Sequence, residues 1–177
     1  SDLGNNGNTT FNASSPAVTY GLATAVIGGT PVVVFSEYLV VWQGDDVVSN
    51  AFEIHGQRIV AETGAEIGLN DFRISDMGNN DASDLFGAMM PGVTYGLVTD
   101  VVGDVTVEVS REYLVVWQGD DVTDNEYEIY GQRIDAETGA ENGVDFRISD
   151  MGPDGDVNYG AFSPVVTYNS INYEYLV

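Results

Sequence analysis

The ten residues from Glu37 to Asp46, Glu-Tyr-Leu-Val-Val-Trp-Gln-Gly-Asp-Asp, recur unchanged from Glu112 to Asp121, and the first four return from Glu174 to Val177. A chain that repeats a motif at this length is built from copies of one supersecondary unit, which narrows its folds to repeat architectures. The motif is rich in β-branched and aromatic residues and ends on Gly-Asp-Asp, the pattern of a strand running into a turn. In such a strand Tyr38, Val40 and Trp42 point to one face, and Leu39 and Val41 to the other. Both faces are apolar, so the strand needs cover on two sides, and stacked sheets supply it.

The rest of the chain repeats around this strand. Ser1-Asp2-Leu3-Gly4, Ser75-Asp76-Met77-Gly78 and Ser149-Asp150-Met151-Gly152 lead to Pro16, Pro91 and Pro164, and then to Val18-Thr19-Tyr20, Val93-Thr94-Tyr95 and Val166-Thr167-Tyr168. Proline is tolerated as the first residue of a strand, so each proline predicts the start of a first strand. The segments 52–59 and 127–134 predict a third strand. Turns at Glu62-Thr63-Gly64-Ala65 and Glu137-Thr138-Gly139-Ala140 lead to a fourth at 71–75 and 145–149. No stretch keeps a 3.6-residue period. The predicted fold is therefore all-β, made of repeated four-stranded antiparallel meanders: one full unit over residues 1–75, another over 76–149, and half a unit over 150–177. Glu37, Glu112 and Glu174 stand 75 and then 62 residues apart. The extra length lies between the first and second strands, as extended hairpins at 21–36 and 96–111, where the half unit turns tightly at Asn169-Ser170-Ile171-Asn172.

The wording of these units, Glu-Tyr-Leu-Val-Val-Trp followed by Ile-Tyr-Gly-Gln-Arg-Ile and Phe-Arg-Ile-Ser, resembles the tandem repeats of large secreted bacterial and archaeal surface proteins. The resemblance covers nearly the whole chain. It implies propeller-like blades and an extracellular or cell-surface location, and it implies no particular activity. Two and a half units are too few blades to close a ring, so the sheets are expected to stack or to be completed by a neighbouring chain.

Charge excludes several partners. The chain has 28 acidic residues against five basic ones, all arginine, for a formal net charge of −23. Phosphate binding needs clustered Lys or Arg, so neither nucleic acid nor an anionic membrane surface fits. No apolar run approaches the roughly 20 residues of a membrane-spanning helix. Cysteine is absent, which removes disulfides and thiolate metal sites. Ser1 is not an initiator methionine and no signal-like segment follows it, so the expectation is a processed product or a fragment of something longer. Asn8-Thr9-Thr10 and Asn12-Ala13-Ser14 fit the glycosylation pattern, with Asn8 and Asn12 as acceptors.

Chemistry leaves a thinner trace. The one histidine, His55, occupies the place of Tyr130 in the next unit, so it reads as a strand residue filling the space of an aromatic ring. The acids recur with the structural unit instead of gathering once, whereas an active site is asymmetric, and the sequence points away from an enzyme. The best cation candidates are the loops after the fourth strands, with Asp76, Asn79, Asp81 and Asp84 in one and Asp150, Asp154 and Asp156 in the other. Their oxygens suit Ca²⁺, although the spacing is not that of an EF-hand. Arg58 and Arg133 recur in the third strand and Arg73 and Arg147 in the fourth, positions that suit pairing with carboxylates between strands or sheets.

Two functions compete at this level. One is a structural subunit or segment of an extracellular filament, stalk or surface layer, assembling with copies of itself head to tail. Its contacts would be the apolar hairpin, with Leu22, Val26, Ile27, Val32, Val34 and Phe35, and the terminal strand, with Tyr173, Tyr175, Leu176 and Val177, whose edge has no third strand to pair with. The alternative is a carbohydrate- or surface-binding adhesin module that presents exposed aromatics beside loop carboxylates.

Overall fold

The computed structural model describes residues 12–28, 30–45, 51–79, 85–102 and 105–177. The protein is all-β and antiparallel. β1 (Ala13–Ile27), β2 (Thr30–Gly44), β3 (Glu53–Val60) and β4 (Glu66–Arg73) form one sheet in that order. β5 (Ala88–Val102), β6 (Val105–Gly119), β7 (Glu128–Asp135) and β8 (Glu141–Arg147) form a second with the same order, and β9 (Thr167–Asn169) and β10 (Glu174–Leu176) form a two-stranded third.

The first strands run through their prolines instead of starting at them. Between the pairs Ser14↔Gln43 and Ala17↔Val41, the two residues Ser15 and Pro16 face Trp42 alone, a β-bulge, and Met90-Pro91 faces Trp117 in the same way. A bulge leaves an N–H without a ladder partner, so proline costs no hydrogen bond there. The residue before each proline takes a left-handed backbone, with φ of 53° at Ser15, 54° at Met90 and 53° at Ser163. The strain is held from outside the strand. Gln43 accepts from the Met90 N–H at 2.9 Å at the bulge of β5, and Gln118 accepts from the Ser163 N–H at 2.9 Å ahead of β9. Residues 21–36 lie within the β1–β2 hairpin, whose strands stay paired to their tip, where Ile27 meets Thr30.

The alternation along the repeated strand sets the stacking. Leu39 and Val41, with Ile54 and Ile74, pack against Tyr113, Val115, Trp117 and Ile134 of the second sheet in one buried core. On the other face of the second sheet, Leu114, Val116 and Ile129 pack with Phe146 against Ala161, Val166 and Tyr175. The second sheet is thus covered on both sides. The first sheet has an outer face, where Tyr38 is 40% exposed although the matching Tyr113 is at 0%.

Two glycines make the close approach between units feasible. A Cβ on Gly21 would stand 2.8 Å from the Tyr113 hydroxyl and 2.9 Å from the Phe35 ring, and one on Gly96 would stand 2.7 Å from the Tyr168 ring beneath Tyr175. Gly21→Val is expected to destabilise the protein by about 1–3 kcal/mol through overpacking. Combining it with Tyr113→Leu should cost less than the sum of the two single changes in urea unfolding. Strict additivity would show that the tyrosine is not what fills the space above Gly21.

Candidate functional site

The chemistry of this chain is concentrated between the repeats. Glu37 on β2 and Arg58 on β3 form a bidentate ion pair, with Nε to Oε1 and Nη2 to Oε2 both at 2.8 Å. Both side chains are buried, and Tyr113 of the next sheet donates its hydroxyl to Glu37 Oε1 at 2.8 Å. Arg58 Nη2 reaches across as well, donating to the carbonyls of Ala136 at 2.5 Å and Glu137 at 3.1 Å. One arginine therefore holds a carboxylate of its own sheet and the β7 turn of its neighbour. Burial, then the Glu37 charge, raises the Tyr113 pKa well above the ordinary phenol value, so the hydroxyl stays a donor.

The same parts recur between the second sheet and the third unit in a looser form. Arg133 Nε lies 3.3 Å from Glu112 Oε1, and the Arg133 side chain is 46% exposed where that of Arg58 is 8% exposed. Tyr175 faces Glu112, and burial followed by that charge raises its pKa too. Arg133 also lies over the Phe146 ring, 5.3 Å from its centroid.

A second recurring network ties the end of each sheet to its third strand. Ser75 Oγ accepts from the Ile54 N–H at 2.7 Å and donates to Glu53, which also receives Arg73 and the Met77 N–H. Ser149, Ile129, Glu128, Arg147 and Met151 repeat that arrangement. Glu53 is pushed up to about 7, chiefly by burial, against the opposing pull of Ser75 and Arg73. At Glu128 burial also raises the pKa, but the Ser149, Met151 and Arg147 bonds outweigh it and the net shift is downward. The two environments differ in cover: Met77 is buried under the second sheet, whereas Met151 is exposed.

The sequence-predicted site residues fall into three groups. Asp150 and Asp154 are drawn to Arg147, at 3.0 and 3.1 Å, Asp76 lies 3.3 Å from Arg73, and Asp156 accepts from Asn158. Asp81, Asp84 and Asn8 lie outside the described residues, as does the side chain of Val26; Asn12 is exposed, and its N–H donates to Asp45. Among the described residues, no group of three or more carboxylate or imidazole side chains is arranged to hold a metal ion. Leu22, Ile27, Val32 and Val34 stand exposed on the first hairpin, while Phe35 is used within the chain, stacked 6.0 Å from Tyr95 and beneath Arg111. Tyr175 likewise packs internally, on Tyr168 and the second core, and Tyr173, Leu176 and Val177 remain exposed. His55 is buried and stacks on Trp42 at 16° between planes.

The acids that organise the interfaces, Glu37, Glu53, Glu112 and Glu128, were not singled out by sequence reasoning. Their signal was present, since each recurs at a fixed offset from Arg58 or its counterpart Arg133.

A cleft of about 640 Å³ opens beside β10, between the second sheet and the third unit. Leu114, Arg133, Phe146 and Ile148 form one wall, and Tyr175 and Val177 the other. No protein-family model, curated protein or solved structure matches this chain.

Proposed function

We propose that this protein is a structural subunit of an extracellular filament, stalk or surface layer. In this reading blade-like sheets stack face to face, and copies of the chain meet head to tail. The observation that supports it is the outer face of the first sheet. It carries the counterparts of Tyr113, Tyr95 and Val93, which pack into the core in the second sheet, with Tyr38, Tyr20 and Val18 all at least 40% exposed. The exposed hairpin residues Leu22, Ile27, Val32 and Val34 extend this apolar surface at one end of the stack. A patch of this kind on a soluble chain marks an interaction surface.

The other end of the stack is different. Asn169 stands where Gly21 and Gly96 stand in the full units, so the third unit lacks the gap into which a tyrosine ring fits. Contact there would use the exposed Tyr173, Leu176 and Val177 and the edge of β10. Two unlike surfaces that meet form an open filament unless the rotation between copies closes a ring. Sedimentation velocity and electron microscopy are expected to show concentration-dependent oligomers. Val32→Asp with Val34→Asp, or Leu176→Asp alone, should return them to monomer with little change in unfolding midpoint. A wild-type chain that stays monomeric at the highest attainable concentration would sink this reading, and a specific ligand on a glycan array would favour an adhesin instead.

A further inference from the structure

The two full units meet at their loop ends as well as through their faces, and a pocket lies between them there. The loop after β4 supplies Asp76 and Met77, the segment after β6 supplies Asp121, and β7 and β8 supply Tyr130, Val144 and Asp145. These residues line a cavity of about 240 Å³, smaller than the roughly 300–1,000 Å³ of sites that take drug-sized ligands. Backbone fixes its carboxylates: Asp145 accepts from the Asp76 N–H at 3.0 Å, and Asp121 from the Gly78 N–H at 3.0 Å. Neither pairs with a cation among the described residues. The chain has five arginines and no lysine, and every arginine is engaged elsewhere: Arg58 with Glu37, Arg73 with Glu53 and Asp76, Arg111 with Glu137, Arg133 with Glu112, and Arg147 with Glu128. Burial, and then the charges of Asp76 and Asp121, raise the Asp145 pKa, so the pocket holds more negative charge than the protein neutralises.

Acids alone would make only a solvated cluster, and it is Tyr130 that points to a ligand. Tyr130 is 8% exposed and lines the cavity, and its hydroxyl has no hydrogen-bond partner among the described residues. A buried hydroxyl in that state carries a desolvation cost that a donor bound in the cavity would remove. Burial and then the Asp121 charge push its pKa up to about 12, so it stays a neutral phenol whose oxygen accepts beside Asp121. The acids recur in the first unit as Asp46 and Asp71, but the phenol does not, because His55 stands in its place. The pocket is therefore asymmetric in a way the repeat is not. Among the described residues no three acids surround one point, whereas a calcium ion gathers about six to eight oxygens. Acceptors spread along a wall suit a cation that carries several N–H groups.

We propose that this pocket binds a small organic cation, an alkylguanidinium or alkylammonium ion, whose N–H groups donate to Asp121, Asp145 and the Tyr130 oxygen while Met77 and Val144 pack on its alkyl stem. All six lining residues belong to the two full units of one chain, so the inference stands apart from the assembly reading. Calorimetric titration of butylguanidinium and butylammonium into the full chain, at about 0.15 M ionic strength to screen diffuse attraction, is expected to show saturable binding at a single site. Butylurea, the neutral analogue of the first, should not bind. Asp121→Asn or Asp145→Asn should weaken binding at least about tenfold, and Tyr130→Phe about threefold. Each asparagine keeps an oxygen for the backbone N–H that the aspartate holds, and urea unfolding checks that the variants are folded. Asp154→Asn removes the same charge from an acid paired with Arg147 and should leave binding unchanged. No saturation with either cation overturns the inference. Equal weakening by Asp154→Asn and Asp121→Asn does so too, because it shows a diffuse ion atmosphere, and so does displacement of butylguanidinium by an equal concentration of Ca²⁺ at matched ionic strength.

Discussion

Replacing Arg58 with methionine is expected to lower the unfolding free energy by about 3–5 kcal/mol, whereas the same change at Arg133 costs about 1 kcal/mol or less. Both arginines occupy the same position in the same strand, and each faces the glutamate of a repeated strand. The difference lies in what remains after truncation. Removing Arg58 leaves Glu37, 2% exposed, as a buried carboxylate with the Tyr113 hydroxyl as its one remaining side-chain donor among the described residues, and it strips a donor from the carbonyls of Ala136 and Glu137. A buried charge that loses its partner carries its full desolvation cost. Glu112 is buried too, but its pair with the half-exposed Arg133 is longer, at 3.3 Å, and Tyr175 and Asn142 remain beside it after truncation, so the loss is smaller and includes the contact of Arg133 with the Phe146 ring. Urea unfolding of the two variants measures both quantities. Equal losses would mean that cover by the next repeat does not govern the worth of the pair.

That contrast also marks how much the sequence disclosed. The strand faces were legible because a period of two needs only the order of residues, and the structure places Tyr113, Val115 and Trp117 on one face and Leu114 and Val116 on the other. The arginine pairs were legible because five cations among 28 acids must recur for a reason. Burial was not legible. Tyr38 and Tyr113 sit in identical ten-residue contexts, yet one is exposed and the other sealed, because burial here depends on which units lie above and below. The paths of β1 and β5 through their prolines were hidden for a related reason. Met90 holds its left-handed backbone against a glutamine 47 residues earlier, and no local propensity records that bond. Spacing along the chain likewise does not show that Asp150 and Asp154 lie beside Arg147.

Glu53 makes the same point about context through pH. Burial under the second sheet pushes its carboxyl up to about 7 from an ordinary 4.5, so between these values the folded state binds a proton that the unfolded chain has released. Stability then falls as pH rises through this window, by at most roughly 1.4 kcal/mol per pH unit and by about 3 kcal/mol in all. Glu128 has the opposite sign: its folded pKa is depressed, so its contribution is present above the unfolded value and is lost as pH falls through the folded one. The self-repulsion of a chain at −23 also eases on acidification, and wild type alone would not separate the two effects. The comparison with Glu53→Gln does, because both chains share that background. Urea unfolding at intervals from pH 5 to pH 8 should show wild type losing about 3 kcal/mol relative to Glu53→Gln, with most of the change below pH 7. A constant difference across the range would mean that Glu53 is already ionised at pH 5, its charge held by Arg73 and Ser75 despite the cover of the second sheet.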